Sequence, residues 1–506
     1  MQSEIFYSDF GAKGDGITND FYAIKAAHDK ANEIGAKVYA NADATYYIGK
    51  TGGESITVKT DTYFCGAHFI IDDRDITPED PERRAPLFIL KSDYELKTFD
   101  EESDEVKALK AACPINLNTK KLPLAFGFPV LIIPYDSGKK VYIRRGNTPT
   151  SGTDQHELII IDENGNIDEN TSALLPYADV TKLEIIRVDD KPITLENGKF
   201  TTRANKAPRE YTSYARNIRI NRSNVTLRKL EHYITDETDT GAPYSGFISF
   251  GLMNNLLVED TVLSGHKTYW ETSGRSLMGT YDIGGSNSNG IFFRNCRQAN
   301  MYCEDGSYNT SIWGIMGTNF CKNITYDTCV LSRLDAHAGV YNATVKNSDV
   351  GTIRLTGGGK FLLENSRVRG YGNSLISLRE DFGCTWQGDI EIRNTHFLNQ
   401  KPETYVFGAE FYPYHNFGYQ AYYPENIVID GLSLETPAKL YLFSDVSAGK
   451  EWDPEANTYI IDGETKENVN KTILPKNIAV KRFPKNACSF TGSPSAVLNS
   501  KLKLDQ

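Results

Sequence analysis

The sequence predicts an all-β chain built as a parallel β-helix solenoid, and three observations predict it. A short motif recurs between Leu256 and Leu434: two apolar residues at i and i+2, a turn residue, a small inward residue, then another apolar one. It reads LLVEDTVL (256–263), IFFRNCRQ (291–298), ITYDTCVL (324–331), ATVKNSDV (343–350), FLLENSRV (361–368), IEIRNTHF (390–397) and IVIDGLSL (427–434). The turn position holds Asp260, Asn295, Thr328, Asn347, Asn365, Asn394 and Gly431, mostly the residue types that tolerate a left-handed bend. The steps from 328 to 347 and from 347 to 365 leave 19 and 18 residues per repeat, room for three short strands and no helix. Repeating corners, alternating strands and short coils mark coils that stack on one another. Thr261, Cys296, Cys329, Ser348, Ser366 and Thr395 follow the corner as an inward column of small side chains.

A chain of 506 residues buries a core without difficulty, and a solenoid absorbs that length as one body. The net charge of −11 argues against a nucleic-acid partner and suggests no membrane surface. No apolar run approaches membrane-spanning length, and no signal peptide precedes Ser3. Met1 therefore stands in place of a removed leader or begins a cytosolic chain. The eight cysteines show no CxxC pair and no metal-finger spacing. Cys296 and Cys329 fall in the same inward column on neighbouring coils, about 4.8 Å apart by strand spacing, which permits a disulfide. Thr and Ser fill that column elsewhere, so small core residues are the preferred reading.

The opening, IFYSDFGAKGDGITNDFYAIKAAHDKANEIGAKVYANADATYYIG (5–49), has a short strand ending at Phe10 and a tight turn at Gly11, Gly14 and Gly16. Asn19 or Asp20 then N-caps a helix through Ile24, Ala27 and Ala31 to Gly35, followed by strands at 37–39 and 45–48. Such a helix plugs the open end of a solenoid. The glycine spacing is not that of a P-loop or dinucleotide fingerprint. The stretch DFGAKGDGITND with the following AI.AA and YYIG resembles the N-terminal signature of the pectate-lyase-3 and glycoside-hydrolase-28-like superfamily of right-handed parallel β-helices. That resemblance covers about the first tenth of the chain. It implies a carbohydrate-active protein, usually exported and hence secreted or periplasmic, with its site on the long side of the helix. The hydrolase elements Asn-Thr-Asp, Asp-Asp, Gly-His-Gly and Arg-Ile-Lys are absent, the nearest echo being Thr352-Ile353-Arg354, so no catalytic residue transfers.

From Asp72 to Ser213 the coil pattern lapses. Hairpin signals appear in PVLIIPYDSGKKVYIRRG (129–146), HELIIIDENGNIDE (156–169) and PITLENGKFTTR (192–203), which indicates a β-rich insertion. The expected plan is 1–71 for the cap and first coils, 72–213 for the insertion, 214–445 for the solenoid core with its active-site face, and 446–506 for the last coils and a C-terminal cap. Long loops at 268–290, 301–323 and 400–426 exceed what the coil requires, and such loops are where a solenoid builds its site.

Setting the corner equal across coils aligns 264–270, 299–305, 332–338 and 351–357, and strand alternation sorts them into faces. His266, Met301, Leu334 and Ile353 form one inward column, and Thr268, Cys303, Ala336 and Leu355 the next. Lys267, Tyr302, Glu304, Arg333, Asp335, His337 and Arg354 gather outward. An exposed polar strand face is the competing account, but this patch mixes acids, bases, Tyr and His beside two long loops. Glu304 and Asp335 lie diagonally, roughly 5–8 Å apart, and can serve a glycoside hydrolase as acid and carboxylate. Arg333 and Arg354 can clamp a substrate anion. A polysaccharide-degrading glycoside hydrolase is therefore the leading expectation; the alternative is a uronate lyase or epimerase, with His337 and Tyr302 exchanging protons and Lys267 or Arg354 neutralising the carboxylate. A non-catalytic glycan-binding or tailspike-like protein is the third reading. Trp270, Trp313 and Tyr412, with Tyr414, Tyr419, Tyr422 and Tyr423, offer rings for sugar stacking, or pack loops onto coils. Too few carboxylates share this face to favour Ca²⁺, so no metal or other cofactor is expected. The expected partner is a polysaccharide or oligosaccharide, and oligomeric state stays open.

Overall fold

The computed structural model describes residues 4–141, 152–208, 213–270, 277–279, 281–379, 385–409, 422–445, 451–453, 458–461, 464–467, 473–494 and 496–504. The chain forms two compact units: Met1–Glu95 with Val188–Gly317 and Cys329–Ser332, and Leu96–Arg187 with Thr318–Thr328 and Arg333–Gln506.

In the first unit, helix Phe21–Ile34 buries Phe21, Ile24, Ala27, His28 and Ala31, the apolar stripe the sequence spaces for that purpose, and stops at Gly35 with φ 69°. Asn19 Oδ1 accepts from the Phe21 amide at 3.3 Å, while Asp20 accepts from the amides of Lys13 and Gly14 and so fastens the glycine turn. Strand Lys37–Tyr39 lies between Glu4–Phe6 and Thr62–Tyr63, and Thr45–Ile48 pairs with His68–Asp72, all parallel. Strand Ile193–Arg203 pairs in parallel with Thr62–Tyr63 and His68–Asp72 on one side and with Val225–Thr235 on the other. The hairpin expected at 192–203 is therefore a coil strand. A two-residue hairpin of type I′ needs positive φ at both central residues; here Asn197 alone has it, φ 60°, and turns a corner. Inside these coils Phe64, Phe69, Phe88 and Phe200 pack ring against ring, with Phe69 and Phe200 stacked at 4.9 Å.

In the second unit, strands Cys321–Asp327, Val340–Lys346, Gly357–Glu364, Trp386–Arg393, Asn426–Asp430 and Asn477–Lys481 form one parallel ladder. Residues 96–187 make the inserted body. Strand Val130–Val141 pairs antiparallel with Thr153–His156, Ile159–Ile161 and Lys182–Arg187, and a bulge between Asp136 and Lys140 stands where a hairpin turn is expected. The turn at 162–166 does form, closed by an antiparallel bridge between Ile161 and Ile167. Val130, Ile132, Ile159, Ile161, Leu183 and Ile185 give the insertion its own core, joined by Tyr341 from the coils. Lys322, on a coil strand, buries its ammonium against Glu157 at 2.7 Å and against the carbonyls of Leu158, Thr171 and Ser172. Glu157 also accepts from the amides of Leu174 and Leu175. Both side chains are fully buried, so this pair pins insertion to coil.

The predicted corners form. Asp260, Asn295, Thr328, Asn347, Asn365, Asn394 and Gly431 all take positive φ, between 45° and 84°. The residues after them are buried, and Thr261, Ser348, Ser366 and Thr395 each donate to the carbonyl two residues back. Cys296 and Cys329 are buried free thiols in that column, and the Cys329 thiol together with burial pushes the Cys296 thiol well up. Outward columns alternate in sign: Glu196, Arg228, Glu259 and Arg294 in the first unit; Asp327, Lys346, Glu364, Arg393, Asp430 and Lys481 in the second. Each exposed pair contributes little, but like charges in these positions would repel across every coil.

Candidate functional site

In the second unit the predicted residues Arg333, Asp335, His337 and Arg354 come together. Asp335, on strand Val330–Ala336, was expected to face solvent and is instead buried, 3% exposed. Alternation fixes which face a side chain takes and not what later covers it. Its Oδ2 accepts from Arg333 Nε at 3.1 Å and Nη2 at 2.6 Å, and its Oδ1 forms an ion pair with Arg379 Nη1. Arg379 follows strand Ser374–Leu378 and reaches Asp335 across the intervening strand Asp349–Leu355. Arg354, on that middle strand, is buried too, with its guanidinium 4.8 Å from the ring centre of half-exposed Tyr371. His337 is half-buried, with Nδ1 3.1 Å from Asn319 Oδ1. An amide oxygen only accepts, so Nδ1 is the donor in this contact.

Lys267, Trp270, Tyr302, Glu304 and Trp313 lie in the first unit, and the register fails there. The coil column is maintained as far as Asn300, whose side chain bonds Gly265 on the preceding coil. Residues 301–310 then leave the coil as a small hairpin closed by the Tyr302–Tyr308 bridge, and the backbone facing Lys267 and Thr268 belongs to 311–313 instead. Glu304 and Cys303 are consequently exposed loop residues, neither outward nor inward members of a coil column. Lys267 points its ammonium at the carbonyls of Thr238 and Thr240 and lies 4.7 Å from the Tyr269 ring centre, tying down a loop. Trp313 packs edge-on against Tyr281 at 6.3 Å. Trp270 sits in strand Tyr269–Trp270, antiparallel to Leu277–Met278. Tyr412, Tyr414 and Tyr419 lie outside the described residues. Tyr423 is a packing residue, stacked on Phe443 at 4.5 Å. Among the described residues no group of three or more His, Cys, Asp or Glu side chains converges as metal ligands would.

Sequence reasoning missed two features. Arg379 escapes a fixed repeat because Arg354 pairs with Ser377, a step of 23, while the corners step by 18 from 347 to 365. The second is a buried ionic network in the first unit. His232 Nδ1 lies 3.0 Å from Asp282 Oδ2 and Nε2 lies 2.9 Å from Thr202 Oγ1. His266, expected in an inward column, lies 3.5 Å from Asp282 and 3.7 Å from Glu237. Burial works against its charge, but the two carboxylates outweigh it and raise His266 to about 9. Asp282 is held well below the usual carboxylate range, burial opposing and the two imidazoles prevailing. Glu237 is lowered in the same way by His266, and it accepts the Tyr269 hydroxyl at 3.2 Å. Tyr244 stacks flat on His266 at 4.6 Å.

No protein-family profile and no curated protein matches the sequence. Solved structures do match. The tailspike protein gp49 from Pseudomonas phage LKA1 aligns with a TM-score of 0.53 and 12% identity over 99% of this chain and 84% of its own. The tailspike gp61 of Pseudomonas phage phi297 aligns with a TM-score of 0.48 and 13% identity over 89% of this chain and 81% of its own. The A-module of the Azotobacter vinelandii mannuronan C-5 epimerase AlgE4 gives 0.39 and 12% over 97% and 99%. At such identities the likeness is one of fold. The chain is a right-handed parallel β-helix protein with an N-terminal capping helix and an inserted β-rich body, the fold it shares with the LKA1 tailspike.

Proposed function

We propose that the protein acts on a polysaccharide bearing acidic groups, through the coil face around Asp335. One observation carries the reading: arginines from three successive coil strands, Arg333, Arg354 and Arg379, gather there, two of them on one carboxylate. Guanidinium groups in that arrangement match a carboxylate-bearing sugar, and the resemblance of the N-terminal motif to carbohydrate-active β-helices agrees with it. Neutralising a uronate carboxylate acidifies the C5 proton, and in this reading His337, whose Nδ1 is turned to Asn319, takes it on Nε2. That step begins both β-elimination and C5 epimerisation. Asp335 is the positioning carboxylate, since ion pairing on both oxygens favours the ionised form and disfavours a proton donor. A polymeric substrate of this kind suits a secreted or periplasmic protein.

Hydrolysis is the second reading, favoured by the exposure of Glu304 on a loop longer than the coil requires. A panel of neutral and acidic polysaccharides separates the two, following new reducing ends, ultraviolet absorbance of unsaturated uronates and solvent deuterium uptake at C5. Absorbance or deuterium that is lost in His337→Ala supports the first reading. Reducing ends alone, lost in Glu304→Gln and kept in His337→Ala, establish hydrolysis and end it.

A further inference from the structure

A second cluster of charged and aromatic side chains lies in the first unit, on strands Thr45–Ile48, His68–Asp72, Ile193–Arg203 and Val225–Thr235. Their parallel register lines up Tyr47, Ile70, Thr201 and Tyr233 as one outward row. His68 and Lys199 flank that row on one side, Asp72 and Arg203 on the other. We infer that this face is a saccharide-binding site of its own, taking a sugar residue that carries a carboxylate or sulfate.

The acidic groups here are already engaged. Asp72 accepts from Arg74 Nε at 2.9 Å and Nη2 at 2.6 Å, from Arg203 Nη1 at 3.3 Å and from the Tyr47 hydroxyl at 3.3 Å, with only 5% of its side chain exposed. Glu231 takes the Tyr233 hydroxyl at 2.8 Å. The cations are not so occupied. Arg203 uses one N–H on Asp72 and is 32% exposed, and Lys199 is exposed with its ammonium 5.5 Å from the Tyr233 ring centre. Lys199 stands opposite Glu231 on strand Val225–Thr235, but that carboxylate takes the Tyr233 hydroxyl. On its other side Lys199 faces His68, whose ring reaches Thr201 Oγ1 at 2.9 Å. Burial, Lys199 and Arg203 all lower the proton affinity of His68, so the charges acting on it are cationic. Lys199 and Arg203, four residues apart on one strand, bracket a span of about 13 Å. Half-exposed tyrosine rings in the middle suit the C–H faces of a sugar ring, and flanking cations suit its anionic group. An anion seated there would reverse the field at His68.

The inference is independent of the chemistry proposed at Asp335, and its test is a binding measurement. Protein labelled with ¹³C-histidine is titrated with an oligogalacturonate, with a sulfated oligosaccharide and with a neutral maltooligosaccharide. The expected result is that the anionic oligomers shift the His68 resonance and move its titration to higher pH, while the neutral one does neither. Whichever anion binds more tightly identifies the charge group. Lys199→Gln, which spares the Asp72 cluster, weakens binding about tenfold. Arg333→Ala leaves the His68 response intact, separating this site from the other face. An unmoved His68, an equal response to the neutral oligomer, or unchanged affinity in Lys199→Gln overturns the proposal.

Discussion

Raising the pH should remove a defined part of the stability of the first unit through one residue, His266. Its imidazole is fully buried against Asp282 and Glu237, and its folded value of about 9 stands above the roughly 6.5 of an unfolded histidine. A raised value means the folded state holds the proton more tightly. The stabilisation is then fully present below pH 6.5 and lost as pH rises through 9. The difference of 2.5 units, at about 1.4 kcal/mol each, amounts to about 3–4 kcal/mol. The depressed values of Asp282 and Glu237 are the same interaction seen from the other partners and add nothing to this figure. Denaturant unfolding of the protein and of His266→Gln at half-unit steps from pH 6 to 10 isolates the effect, because groups that titrate in both cancel. The wild-type profile should fall about 3–4 kcal/mol further than the variant across that window. Parallel profiles would refute the argument, since an uncharged His266 has no proton to lose.

Other perturbations have equally definite outcomes. Lys322→Met strands Glu157 in a fully buried site and should cost about 3–5 kcal/mol, read as a lower denaturation midpoint and faster proteolysis within 96–187. Asp335→Asn leaves the Arg379 guanidinium, 5% exposed, without its buried counter-charge and should cost about 3 kcal/mol by the same measurement. Thr328 holds φ 58°, a region unfavourable for a β-branched residue, so Thr328→Asn should raise the melting temperature by an amount equivalent to about 1 kcal/mol.

What the sequence disclosed followed from how strictly physics limits each position. A left-handed corner admits few residue types, so Asn295, Asn347, Asn365 and Asn394 announced the coils, and their buried neighbours fixed the lumen. The fold was legible for that reason. The site was less so, because the column count ran straight through 301–310. Asp305-Gly306 is itself a turn signal, with Gly306 at φ 79°, and it marked the excursion that carries Glu304 off the strand. Alternation also said nothing of cover, so Asp335 and Arg354 were read as exposed. The Glu157–Lys322 and His232–Asp282 pairs join residues 165 and 50 positions apart, and no periodic pattern links them.

The parallel pairing of His68–Asp72 with Ile193–Arg203 also bears on how the chain is made. Neighbouring coils elsewhere join residues 18 to 52 apart, as Asn365 to Asn347 and Asn486 to Leu434, whereas Thr194 bonds Asp61 across 133. The added closure entropy is modest, about 1 kcal/mol. The delay is not. At about 5–20 residues per second, a ribosome needs roughly 7–27 seconds to deliver the matching strand after its partner has emerged. Until then one edge of His68–Asp72 has no neighbour, and Phe69 lacks the Phe200 ring that later stacks on it. An open strand edge is a template for wrong pairing. Biosynthesis of this protein therefore passes through an interval in which its earliest coils are most prone to aggregate, and slow elongation through 96–187 lengthens it.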